Sequence, residues 1–118
     1  MATEITFRAL MEVLGKPKEH VKESLDKYVA QLKASDKYTV LNEDYADVEK
    51  REDSELWATF VELEIKTDSM ENLIMFCFEY MPSSIEILEP AEFKLADQDV
   101  SHLLSNLQGR LHQIDMVA

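Results

Sequence analysis

The sequence predicts an α+β fold: an antiparallel sheet carrying two helices on one face, with an additional C-terminal helix. Three observations lead there. Two stretches alternate apolar and polar residues with period two. Others repeat apolar residues at spacings of three and four. Segments of the two kinds follow one another in the order β-α-β-β-α-β-α. A chain of 118 residues suits one hydrophobic core, so the expected organisation is a single domain over residues 1–118. Residues 1–90 would form the core and residues 91–118 a terminal turn and helix.

The first strand is read over residues 3–14. Ile5, Phe7, Ala9, Met11 and Val13 fall on one face, and Thr6, Arg8, Leu10, Glu12 and Leu14 on the other. Gly15 ends it. Pro17 suits the first turn of a helix, where its missing N–H is not needed. Val21, Leu25, Val29 and Leu32 then mark an amphipathic helix over residues 17–34.

Residues 38–45 read as a second strand whose inward face the pattern does not reveal. The acid-rich stretch 44–55 reads as a solvated hairpin loop. Residues 56–66 form the third strand, with Trp57, Thr59, Val61, Leu63 and Ile65 on one face. Asp68 followed by Glu71 has the spacing of a capping box. It opens a nearly all-apolar helix over residues 69–81, expected to be covered on most sides, and Pro82 stops it. Cys77 in this helix is expected to be a core thiol. Residues 83–89 read as a fourth strand, with Ile85 and Ile87 inward. A turn through Phe93 and Leu95 leads to a last helix over residues 97–116, with Asp97 or Asp99 as its cap. The first six elements match the ferredoxin-like βαββαβ plan, which gives an antiparallel sheet in the order 4-1-3-2.

Composition bounds the function. The net charge is −12, from 24 acidic and 12 basic residues. Residues 16–37 carry six lysines against four acids, whereas residues 38–118 carry five basic and eighteen acidic residues. Nucleic-acid binding needs a basic face that displaces counterions, so no nucleic-acid partner is expected. No apolar run is long enough for a membrane span, and the first residues show no export signal. One cysteine allows no internal disulfide, which fits the cytoplasm. The histidines His20, His102 and His112 lack His or Cys partners at zinc-site spacing. No nucleophile elbow or P-loop is present, and no cofactor is expected.

Three sets of residues are candidates for function. Glu12, Glu62, Glu64 and Glu86 would share the open sheet face with Arg8. Clustered carboxylates of this kind can hold a divalent metal or act as acid and base. Lys16, Lys18, His20 and Lys22 gather near a helix N-terminus, where free N–H groups attract a phosphate or carboxylate. Val100, Leu104, Leu107, Leu111 and Ile114 form a stripe on the last helix, widened by Leu103 and Val117, that must be buried somewhere. It would cover the chain's own sheet or meet a second chain. A free-standing coiled coil is disfavoured by the stripe's two-heptad length and by Gly109. The leading expectation is a non-catalytic interaction or regulatory domain that self-associates or meets a protein partner. Small-anion or metabolite binding and a metal-dependent enzyme are the alternatives.

Val61-Glu-Leu-Glu-Ile65, an apolar helix, Ser84-Ile-Glu-Ile-Leu-Glu-Pro90 and a closing helix together resemble the end of the C-terminal extension domain of WYL-type regulators. That resemblance implies a ferredoxin-like plan; the helix-turn-helix and WYL core are missing here. Through Glu12-Val-Leu-Gly15, Pro17-Lys-Glu-His-Val21 and Met81-Pro-Ser-Ser-Ile-Glu-Ile-Leu-Glu-Pro90, the whole chain is similar to small uncharacterised archaeal proteins. That similarity implies a fold and no activity. The ACT ligand-binding domain shares the topology, but its Asp-x-Pro-Gly turn is missing.

Overall fold

The computed structural model describes residues 4–117, with side chains through Ile114. In chain order the elements are β1 (Ile5–Gly15), α1 (Lys18–Ala34), β2 (Tyr38–Tyr45), β3 (Glu49–Lys50), β4 (Trp57–Thr67), α2 (Met70–Tyr80), β5 (Ser84–Glu89) and α3 (Asp97–Val117). Thr3, expected to begin β1, lies outside the described residues. The sheet is antiparallel throughout and runs β2-β4-β1-β5, with β3 pairing beside β4.

The fold class is therefore α+β, as expected, but the sheet has five strands. The acidic stretch is not wholly a loop. Glu49 pairs with Ala58 and Lys50 with Trp57, and the Arg51 N–H donates to the Leu56 carbonyl. The hairpin ladder thus continues past β2, and Asp53 turns the chain at φ 58°, a left-handed conformation that Asp tolerates. Acidic side chains on an edge point into water and do not oppose the backbone pairing. With β3 present, the strand order is not the bare four-strand 4-1-3-2 of the ferredoxin-like plan.

β1 and β4 pair over their whole lengths, from Ile5 opposite Thr67 to Gly15 opposite Trp57. That register puts Ile5, Phe7, Ala9 and Met11 on one face with Val61, Leu63 and Ile65, and all are buried. α1 covers them with Val21, Leu25, Val29 and Leu32, and α2 with Leu73 and Phe76. Phe76 meets the Phe7 ring edge-on at 5.1 Å and the Tyr38 ring at 5.6 Å, and stacks on Tyr80 at 5.1 Å. Two buried threonines tie down the strand ends: Thr59 donates to the Ala46 carbonyl and Thr67 to the Lys37 carbonyl. In β2 a bulge inserts Leu41 between the pairs Val40–Ile65 and Asn42–Glu64. The extra residue breaks the period-two pattern and accounts for the face that the sequence leaves ambiguous.

The helix ends differ from expectation in detail. Pro17 caps α1 from outside, its carbonyl accepting from the N–H groups of His20 and Val21. Ser69, one residue past Asp68, caps α2 by accepting from the Asn72 N–H at 3.1 Å. Asp68 instead accepts from the Asn72 side-chain amide. Asp99 lies inside α3 and reaches back to the Ala96 N–H, the return half of a capping box.

The largest differences concern α2 and α3. α2 is not covered on most sides: only Leu73 and Phe76 are fully buried, and Ile74, Met75 and Phe78 are partly open. Cys77 is exposed, not a core thiol, because it lies about 100° around the helix from Phe76. α3 packs beside α2 and not on the open sheet face. The molecule measures 50 × 35 × 25 Å, with a radius of gyration of 16.3 Å. A compact chain of this length would have a radius of about 13.5 Å.

Candidate functional site

On the open sheet face, the register of β1 sets Arg8 opposite Glu64 on β4 and Glu86 on β5. The guanidinium fans out between three carboxylates: Nε lies 3.2 Å from Glu62, Nη1 3.1 Å from Glu86 and Nη2 3.7 Å from Glu64. Three of the four carboxylates considered for a metal are therefore engaged by a cation already in the chain. Glu12, the fourth, lies farther along β1, opposite Phe60. It borders a shallow hollow shared with Lys50, Arg51 and Phe60. Among the described residues, no group of three or more His, Cys, Asp and Glu side chains converges in a way that could hold a metal ion.

The lysines near α1 do not converge on one point. Lys16 pairs with Glu55 at 3.2 Å, and Lys22 pairs with Asp26 at 2.9 Å. Lys18 lies over the Trp57 ring, and Lys22 also sits 4.2 Å from the centre of the Tyr45 ring. His20 is exposed. Each aromatic contact satisfies a cation through the ring quadrupole while its stem covers apolar surface. Three turns on from Lys22, Lys33 pairs with Glu43, and Tyr45 donates to the same carboxylate at 2.9 Å. The Lys33 hydrogen bond leads in holding Glu43 below the usual carboxylate range. Burial, followed by the bond to Glu43, pushes Tyr45 up to about 12. This arrangement clamps β2 to α1.

The third set is the one the fold leaves unfinished. α3 turns Leu103, Asn106 and Arg110 toward α2, around Glu71, Ile74 and Met75. Asn106 donates to Glu71 at 3.1 Å, and Arg110 reaches the Met75 sulfur at 3.5 Å and Glu79 at 3.9 Å. The predicted stripe lies on the adjoining face and stays open: Val100 is 39%, Leu104 59%, Leu111 46% and Ile114 55% exposed. Leu107, between the two faces, is half-buried. The side chain of Val117 lies outside the described residues. Past the α2 contact, Phe78, Arg110, Gln113 and Ile114 line a hollow. Phe78 and Ile74 belong to none of the three candidate sets. Their spacing of four, on the side of α2 away from Leu73 and Phe76, is the signal the sequence carries for them.

The elements define an α+β protein whose distinctive residues lie on open surfaces. The chain belongs to the MJ0538 family, an uncharacterised family whose model matches residues 6–114. The match spans the segments that resemble small uncharacterised proteins, and it gives no support to a relationship with WYL-type regulators. No curated protein and no solved structure matches significantly. No helix in the described residues is long and apolar enough to cross a membrane.

Proposed function

We propose that this protein is a non-catalytic interaction domain that self-associates through α3. One observation carries the proposal. Val100, Leu104, Leu107, Leu111 and Ile114 repeat at the spacing of a buried helix face, yet four of the five are more than a third exposed. On α1 the same kind of stripe is wholly buried. Full burial of such a side chain contributes about 1.5–3 kcal/mol, and roughly half of that is still unrealised at each open position. Summed over two copies, the gain is of the same order as the cost of association, which gives a reversible, concentration-dependent dimer.

In this reading residues 1–90 form a ferredoxin-like core widened by β3, and α3 is its docking element within one domain. The acidic surface argues for protein partners over nucleic acid. Cys77, the single thiol, suits a reducing cytoplasm. Sedimentation velocity over a dilution series tests the proposal. A monomer–dimer equilibrium in the micromolar range is expected. Leu104→Asp combined with Leu111→Asp should abolish it while leaving the far-ultraviolet circular dichroism unchanged. A strict monomer at high micromolar concentration overturns the proposal, as does a dimer indifferent to the double substitution.

A further inference from the structure

We infer that two copies pair through α3 in antiparallel orientation, with the two-fold axis crossing at Leu107; the inference rests on the self-association just proposed. The stripe is nearly palindromic. Val100 and Ile114 stand seven residues to either side of Leu107, and Leu104 and Leu111 stand three and four. Reversing the helix about Leu107 therefore returns the same apolar pattern, the self-complementarity that an isologous interface requires. Leu104 of each copy then faces Leu111 of the other.

Charge selects the face, and the helix dipoles the direction. Two copies at −12 repel wherever acidic surface meets acidic surface. Residues 100–109 contain no Asp, Glu, Lys or Arg, the longest such run in the chain, and Arg110 is the only one of these through residue 114. This face is where a second copy meets the least repulsion. Parallel pairing would set the two Asp97–Asp99 turns side by side and align the helix dipoles. Antiparallel pairing opposes the two helix dipoles and separates the two Asp97–Asp99 turns, although it brings each Asp99 to the end of the other helix that carries Asp115. It also brings the second copy's Val100 to the Ile114 end of the stripe, where Phe78, Arg110, Gln113 and Ile114 leave a hollow.

Disulfide trapping in a Cys77→Ser background tests the orientation. Leu104→Cys and Leu111→Cys are made as separate proteins; both positions are exposed in one copy, so the core is untouched. Oxidation with copper–phenanthroline should give several-fold more cross-linked dimer from the mixture than from either protein alone. In the antiparallel pair, like positions are offset by about 10 Å along the axis. Leu103→Cys, turned toward α2, should cross-link with neither. If Leu104→Cys alone cross-links as well as the mixture, the pair is parallel and the inference fails. Dimers in sedimentation with no cross-link from any combination also overturn it while leaving self-association standing. Monomers in sedimentation overturn both.

Discussion

Replacing Arg8 by Met tests what the open sheet face is made for. The substitution keeps an unbranched stem across β1 and removes the one cation between Glu62, Glu64 and Glu86. The Arg8 side chain is 37% exposed and its partners 35–65%, so each pair is worth only about 0.2–1 kcal/mol. Loss of three pairs costs about 1–2 kcal/mol. Repulsion among the three carboxylates is present in the parent as well and drops out of the difference. A destabilisation of about 1–2 kcal/mol is therefore expected at low salt. It should fall by half or more in 1 M NaCl, where the screening length shrinks to about 3 Å. Urea unfolding at both salt concentrations measures this, with the midpoint moving and the slope unchanged. The variant also exposes a cluster that hard cations can bridge. Ca²⁺ should raise its melting temperature more than that of the parent protein. Equal stability of variant and parent at low salt would refute the ion-cluster reasoning. An equal Ca²⁺ gain in the parent would show that the carboxylates bind metal despite Arg8.

Phe76→Ala should cost about 3–5 kcal/mol in urea unfolding, because it empties a fully buried site packed by Phe7, Tyr38 and Tyr80. Ser69→Ala should cost about 1 kcal/mol by leaving the Asn72 N–H without its side-chain cap. Glu43→Gln should be pH-dependent in a defined direction. The folded state holds this carboxyl below its unfolded value, so its contribution is complete above the usual carboxylate range and is lost as pH falls through the folded value. The melting-temperature gap between parent and variant should be present at neutral pH and close on acidification. A constant gap would mean that Lys33 does not act through charge.

The parts of the fold legible in the sequence are those in which one residue type repeats without interruption. β1 and β4 alternate cleanly, and they pair edge to edge with their apolar residues on one side of the sheet, as that alternation requires. α1 carries a single unbroken stripe, and all four of its residues are buried. Legibility fails where one residue interrupts the repeat or where polarity hides a backbone event. The bulge at Leu41 shifts the phase of β2. β3 is held by backbone pairing alone, so its Glu-Lys sequence carries no apolar signal. α2 reads as a helix covered on most sides because apolar residues surround it, yet the neighbour on one side is a helix that leaves Phe78 partly open and Cys77 exposed. For the candidate sites, the strand register placed Arg8 beside its carboxylates. That the guanidinium would engage three of them depends on side-chain reach, which spacing does not encode. The α3 stripe announced a need for cover without naming the covering surface.

The position of α3 has a cause in the charge of the sheet. A terminal helix with one apolar stripe could close over the open face of its own sheet, where Leu10, Leu14 and Phe60 offer apolar surface. That face also carries Arg8, Glu12, Glu62, Glu64 and Glu86, and the β2 register adds Asp44 beside Glu62. Laying Leu104, Leu107 and Leu111 over these groups would strip water from several carboxylates at once. Only one central guanidinium compensates them, and the penalty for each poorly paired ion is several kcal/mol. The apolar gain of a few leucines does not offset that. Against α2 the helix finds Ile74 and Met75, with Glu71 and Glu79 placed to receive Asn106 and Arg110. But α2 spans only 11 residues against 21 in α3, and it meets one edge of the stripe. The acidic sheet face excludes the helix that could have covered it, and the remaining apolar residues stay open.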